Sequence, residues 1–281
     1  MPPLAVVALL CFAANSVLAR LALRAGAIDP ASFTAIRLAA GAVFLAILAR
    51  PRKASAGPDF RVPLIGALLL FLYAAPFSFA YVRLTTGTGA LILFGAVQLT
   101  MIGVGILSGE RPRTLEWTGL IVALAGLIGL TLPGITAPPP LAALLMALAG
   151  VAWGGYSLRG RRSSTPLLDT GASFALATPI GMALALLALI DRPATLTTEG
   201  VLYATLSGAL ASGAGYAAWY AALPRLSATR AGTIQLAVPV LTALAGTLFL
   251  SEGISFRLVI SALAILGGIA LSISARKTNS N

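Results

Sequence analysis

The feature that most constrains this chain is a series of ten apolar runs. Each is about as long as a helix needs to cross the roughly 30 Å hydrocarbon core of a bilayer. They fall at residues 3–22, 31–49, 62–81, 86–107, 115–132, 139–158, 168–190, 199–221, 228–250 and 256–274. The main polar breaks, 51–61, 133–140, 159–166 and 191–198, are short. Backbone N–H and C=O groups have no water to bond in hydrocarbon, so runs of this kind must be helical. Composition agrees: 58% of the 281 residues are hydrophobic and 10% are charged, against roughly 25% charged in a soluble domain. The expectation is an all-α integral membrane protein of ten transmembrane helices. The first run has no Lys or Arg before it and is read as a retained helix rather than a cleaved signal.

The net charge of +11 does not point to nucleic acid. The 19 Lys and Arg lie in short clusters between apolar runs and form no basic stripe. They are read as topology signals instead. Arg50, Arg52, Lys53, Arg61, Arg111, Arg113, Arg159, Arg161, Arg162, Arg225, Arg230, Arg276 and Lys277 fall on one side, and Arg20, Arg24, Arg83, Arg192 and Arg257 on the other. The positive-inside rule then expects both termini in the cytoplasm of a cell inner (plasma) membrane protein, which an even helix count also requires.

The two halves match at a nearly constant offset. Phe12, Ser16, Arg20 and Phe33 correspond to Trp153, Ser157, Arg161 and Phe174, each 141 residues later. Arg83, Glu110 and Gly126 correspond to Arg225, Glu252 and Gly268, each 142 later. The expected organisation is a first five-helix repeat over 1–133, a second over 138–275 and a polar cytoplasmic tail over 276–281. A repeat with an odd number of spans starts its second copy from the opposite side, which relates the halves by a pseudo-two-fold axis in the membrane plane. Secondary transporters use this arrangement, with substrate held between the repeats near the midplane.

The residues also carry a family resemblance. Phe12-Ala13-Ala14-Asn15-Ser16, Phe33-x-x-x-Arg37 and Gly109-Glu110-Arg111 in the first half, with Trp153-Gly154-x-Tyr156-Ser157, Gln235-x-x-x-Pro239 and Ser251-Glu252 in the second, resemble the EamA type of the drug/metabolite transporter superfamily. Phe12-Ala13 departs from the Trp-Gly usual there. The overall pattern is similar to the YddG-like amino-acid exporters. The resemblance implies export of small amphipathic metabolites, neutral or aromatic amino acids first, by alternating access. A drug or other metabolite carrier of the same fold, or a passive channel, is the alternative.

Polar groups at membrane depth are costly unless used, and they nominate the substrate site: Asn15, Ser16, Tyr81, Gln98, Trp153, Tyr156, Trp219 and Gln235. Gln98, near the middle of its run, serves either a cavity or an interhelical hydrogen bond. Gln235 precedes Pro239 by one turn, so its carbonyl is freed and the helix kinks. Trp153 and Tyr156 are either cavity wall or interface belt. The series Tyr73, Phe77, Tyr81 makes one aromatic stripe, and Tyr216 and Tyr220 another. Both read more readily as packing or lipid-facing surfaces. Arg37 can meet a substrate carboxylate, but snorkelling to the outer interface is the preferred reading. Glu110 and Glu252 are read as helix-end caps.

The eight acids all fall at or near helix ends, so no midplane carboxylate is available as a proton or sodium handle. Histidine is absent, Cys11 is the one cysteine, and no phosphate-binding Walker loop occurs. Catalytic residues, metal ligands and cofactors are therefore not expected. Ser212-Gly213-Ala214-Gly215 is read as a small-residue packing segment. The expected partners are a small-molecule substrate and the lipid bilayer, with no nucleic acid.

Overall fold

The computed structural model describes residues 3–48, 61–107, 114–132, 137–160, 163, 165–191, 193–222, 235 and 237–277. Its helices are α1 (Pro3–Arg24), α2 (Pro30–Leu48), α3 (Arg61–Tyr81), α4 (Thr86–Leu107), α5 (Thr114–Thr131), α6 (Pro140–Gly160), α7 (Pro166–Asp191), α8 (Thr198–Leu206), α9 (Gly215–Ala222), α10 (Ala237–Leu250) and α11 (Phe256–Lys277). Among the described residues, seven helices are long and apolar enough to cross a membrane, α1 to α7, and no strand occurs beyond a single bridge between Ile28 and Leu196. Glu110, Arg161, Arg162, Arg225 and Arg230 lie outside the described residues.

One departure from the sequence reading is local. The run expected at 199–221 is not a uniform α-helix: Ser207–Ala214 is π-helical and joins α8 to α9 with helical backbone at both junctions. Ser207, Gly208, Gly213 and their neighbours are small, so the widened turn can sit close to α2. A Cβ at Gly208 would collide with the Arg37 carbonyl oxygen.

The exterior is apolar. Ile47, Leu107, Ile190, Leu248, Phe249 and Leu263 are each at least 70% exposed, which suits acyl chains and not water. Polar side chains do the opposite: Asn15, Ser16, Arg37, Gln98, Ser207 and Ser212 are all buried. A surface that is greasy outside and polar within is what a membrane solvent selects.

Packing runs between early and late helices. α2 lies along α7, α3 against α6 and α7, α4 against α6 and α10, α1 against the α8–α9 rod and α10, and α5 along α11. Close approach needs glycine at the α5–α11 seam: a Cβ at Gly126 would lie 3.0 Å from the Ile265 amide nitrogen, and one at Gly268 would lie 2.6 Å from the Ala123 amide nitrogen. Small residues allow such backbone contact where lipid supplies no hydrophobic drive between helices.

Candidate functional site

The two ends of the bundle differ. At one end, the Arg20 Nε donates to Glu252 Oε1 at 3.0 Å, an ion pair with both side chains about nine-tenths buried. The same guanidinium donates through Nη1 to the carbonyls of Tyr81 and Val82 at 2.9 and 3.0 Å. The other carboxylate oxygen, Glu252 Oε2, accepts from the Thr86 amide at 2.7 Å and the Thr86 hydroxyl at 2.6 Å. Glu252 therefore caps the N-terminus of α4, where the helix dipole favours an anion. Helix-end capping was the sequence expectation, but the capped helix belongs to the other half of the chain. Ser251, at φ 53°, turns the chain out of α10 in the left-handed region to deliver it. Arg24 Nη1 adds a bond to the Leu250 carbonyl at 2.9 Å. Arg20 and Arg24, read from sequence as topology charges, here tie α1 to the α3–α4 and α10–α11 turns.

At the opposite end a cavity of about 510 Å³ opens, lined among others by Gly66, Val104, Tyr156, Arg159, Asp169 and Tyr220. This is the size of a small-molecule site. Between cavity and closed end lies a chamber of about 20 Å³, bounded by Phe12, Asn15, Ser16, Tyr73, Phe77, Leu93, Phe94, Trp153, Ala211, Ser212 and Tyr216. It has room for about one water molecule. Aromatic rings part the two spaces. On α6, Trp153 faces the chamber and Tyr156, one turn later, faces the cavity, the two rings stacked at 5.6 Å. On α9, Tyr216 and Tyr220 repeat the arrangement, and Trp153 meets Tyr216 at 4.9 Å.

A buried polar chain runs behind the chamber wall. The Ser207 hydroxyl donates to Asn15 Oδ1 at 2.7 Å, and Asn15 Nδ2 donates to the Tyr73 hydroxyl at 3.1 Å. Arg37 Nη2 donates to the same Tyr73 oxygen at 2.9 Å, and Arg37 Nε and Nη2 reach Ser212 Oγ at 3.3 Å. The π register, which bonds residue i to i+5 rather than i+4, sets both Ser207 and Ser212 toward α1 and α2.

Of the eight residues nominated from sequence, Asn15, Ser16 and Trp153 line the chamber and Tyr156 lines the cavity. Tyr81 is fully buried under the closed end, its hydroxyl 3.4 Å from the Thr86 carbonyl. Trp219 packs edge-on against Phe12 at 6.0 Å, behind the chamber. Gln98 and Gln235 are buried but line neither space, and Gln98 Nε2 has no hydrogen-bond partner.

Two readings change, those of Arg37 and Ser212, and two open ones narrow. Arg37 does not snorkel: it is 1% exposed, with its Cζ 4.9 Å from the Tyr73 ring centre and 4.8 Å from that of Phe77. Trp153 and Tyr156 are buried among other rings rather than placed in an interface belt, and Tyr73, Phe77 and Tyr81 face inward. Ser212 is a hydrogen-bonding wall residue, not mere packing. The signal for Arg37 was in the sequence, a lone charge inside an apolar run. Nothing in the sequence marked the π turn.

Comparison with known proteins follows the same lines. Residues 3–132 and 140–274 match the EamA-like transporter family. The chain is 50% identical over 273 residues to the uncharacterized protein PA1977 of Pseudomonas aeruginosa, covering 97% of this chain and 94% of that one. It is 30% identical over 207 residues to the uncharacterized transporter YwfM of Bacillus subtilis, across 66% of this chain and 70% of the other. To the uncharacterized inner membrane transporter YedA of Escherichia coli it is 31% identical over 132 residues, 46% of this chain and 43% of that one. A crystal structure of a protein 25% identical superimposes with a TM-score of 0.68, covering 99% of this chain and 98% of that one.

Proposed function

Because the chain belongs to the EamA-like transporter family, we propose that it is a secondary transporter that moves small amphipathic metabolites by alternating access, with neutral or aromatic amino acids as the leading substrates. The observation that carries this reading is the asymmetry of the two ends: an ion-paired closure at Glu252, an open cavity at Arg159, and a small polar-backed aromatic chamber between them. A site reached from one side at a time is the minimum an alternating-access carrier needs.

We read the chain as ten spans in two inverted repeats, and several contacts support that arrangement. Counting α8–α9 as one span, exchange of each span with the one five later turns the packing of α3 on α6 into that of the α8–α9 rod on α1. It turns α4 on α6 into α10 on α1, and it leaves the α2–α7 and α5–α11 pairs unchanged. At the last seam the exchange is residue for residue. Gly126 faces Ile265 and Gly268 faces Ala123, and both Gly126 to Gly268 and Ala123 to Ile265 are steps of 142. The two family matches divide the chain at the same place.

The count of positive charges favours the open cavity, with Arg159, and both termini on the cytoplasmic side of an inner membrane. The conformation is then inward-open, and a solute loaded from the cytoplasm leaves outward when the Glu252 end parts and the Arg159 end closes. The aromatic wall also accommodates a planar drug.

The test is uptake of a labelled panel, comprising amino acids, amines, sugars and organic cations, into proteoliposomes holding the purified protein. Saturable, competable flux of neutral or aromatic amino acids supports the reading. Saturable flux of another class corrects the substrate. Flux that rises linearly with concentration identifies a channel, and no flux by folded protein for any solute overturns transport.

A further inference from the structure

Behind the chamber wall lies a charge that no described carboxylate balances. Arg37 brings a guanidinium with five N–H donors and no acceptor. It is 1% exposed, its Nη1 has no hydrogen-bond partner, and among the described residues no carboxylate pairs with it. Its neighbours Tyr73, Phe77 and Ser212 all line the chamber, so the guanidinium lies one side chain behind that wall. The Tyr73 hydroxyl oxygen accepts from both Asn15 and Arg37, which leaves its own proton for an acceptor. Two donors, one of them charged, are therefore unspent: the Tyr73 hydroxyl in the chamber wall and the Arg37 Nη1 behind it. An unpaired charge in a membrane interior is expensive and is kept where it is used.

We propose that the substrate supplies the missing anion: its carboxylate docks on Arg37 with help from the Tyr73 hydroxyl, and its apolar part lies against Phe12, Trp153 and Tyr216. The guanidinium fork matches a carboxylate in geometry as well as charge. Occupancy parts the rings that now shrink the chamber, which couples binding to opening. This assignment rests on the transporter reading and narrows its substrates to solutes that carry a carboxylate. It excludes amines and organic cations without one.

The experiment compares phenylalanine, phenylalaninamide and phenethylamine, three solutes sharing a ring and an amine, as competitors and counterflow substrates in proteoliposomes of the wild type, Arg37→Met and Arg37→Lys. Thermal unfolding of each protein in detergent is read alongside. The expected result is at least tenfold preference for phenylalanine in the wild type, lost in Arg37→Met and partly kept in Arg37→Lys. Arg37→Met melts at or above the wild-type temperature, because it removes a buried charge that has no counter-charge. If Arg37→Met does not fold, Tyr73→Phe decides: it should weaken phenylalanine several-fold relative to the amide. Equal loss of both overturns the proposal.

Arg37→Met with unaltered preference, or phenethylamine competing as well as phenylalanine, also overturns it. If none of the three moves, the wider solute panel decides. Flux confined to solutes without a carboxylate ends the anion site and leaves the transporter reading standing. Flux of no solute ends both.

Discussion

The Glu252 end and the Arg159 end are built from the same ingredients and behave differently. Each has an arginine, an acid, tyrosines and helix termini. At the Glu252 end, Arg20 Nε and Nη1 and both Glu252 carboxylate oxygens meet partners across the bundle: two carbonyls, one amide, one hydroxyl and the opposite charge. At the Arg159 end, Asp169 is satisfied locally, by the Ser163 hydroxyl at 2.5 Å and that of Thr165 at 3.4 Å, all within the turn that starts α7. Those two Asp169 bonds stay within one turn, whereas the bonds of the Arg20–Glu252 pair join α1 to the α3–α4 and α10–α11 turns.

The strongest way to break this contrast is Arg20→Met. It leaves the buried Glu252 carboxylate without its counter-charge and frees two carbonyls. Removing one member of a buried pair costs about 3–5 kcal/mol, a factor of about a hundred or more in the balance between closed and open. Labelling of a cysteine placed at Ser16 by an impermeant reagent added on the Glu252 side should rise accordingly. Unchanged labelling would mean that the apolar packing, not the ion pair, seals this end.

Trp153→Ala tests the partition from the other direction. Loss of a packed tryptophan costs about 3–5 kcal/mol of stability. It also merges chamber with cavity, so labelling at Ser16 from the Arg159 side should increase while labelling from the Glu252 side does not.

A smaller effect of opposite sign is expected from Glu110→Gln. Glu110 corresponds to Glu252 in the proposed repeat and lies outside the described residues. If the halves are equivalent, Glu110 secures the Arg159 end when the other end is open. Its neutralisation should then lower labelling from the Glu252 side by about fivefold, for a contribution near 1 kcal/mol. The smallest change is Ser251→Gly. It relieves a left-handed residue that costs about 1–2 kcal/mol in a non-glycine, and it should raise the melting temperature by a few degrees with little change in labelling at either end.

Much of this molecule was legible before its fold. Runs of apolar residues near 20 long leave the backbone no choice but to bond within itself, so helices and their approximate bounds followed from local composition. The 141–142 residue offset and motifs such as Gln235-x-x-x-Pro239 pointed to the family that the chain matches. Asn15, Ser16, Trp153 and Tyr156, nominated because polar and aromatic groups at membrane depth need a reason to be there, line the chamber or the cavity. Gln98 and Tyr81 met the same criterion and face neither space. Depth along a helix can be read from sequence, but the direction a side chain faces is set by neighbours.

What the sequence determined by itself was therefore everything that depends on a residue's own run: an all-helical chain, apolar outside, with few charges and those mostly at helix ends. Only tertiary structure decided the partners. Arg37 meets Ser212 across 175 residues, Arg20 meets Glu252 across 232, and Ser207 meets Asn15 across 192. Whether a lone arginine snorkels or turns inward depends on whether Tyr73, Phe77 and a π-helical turn stand ready to receive it. That is a property of four packed helices, and no window of one of them contains it.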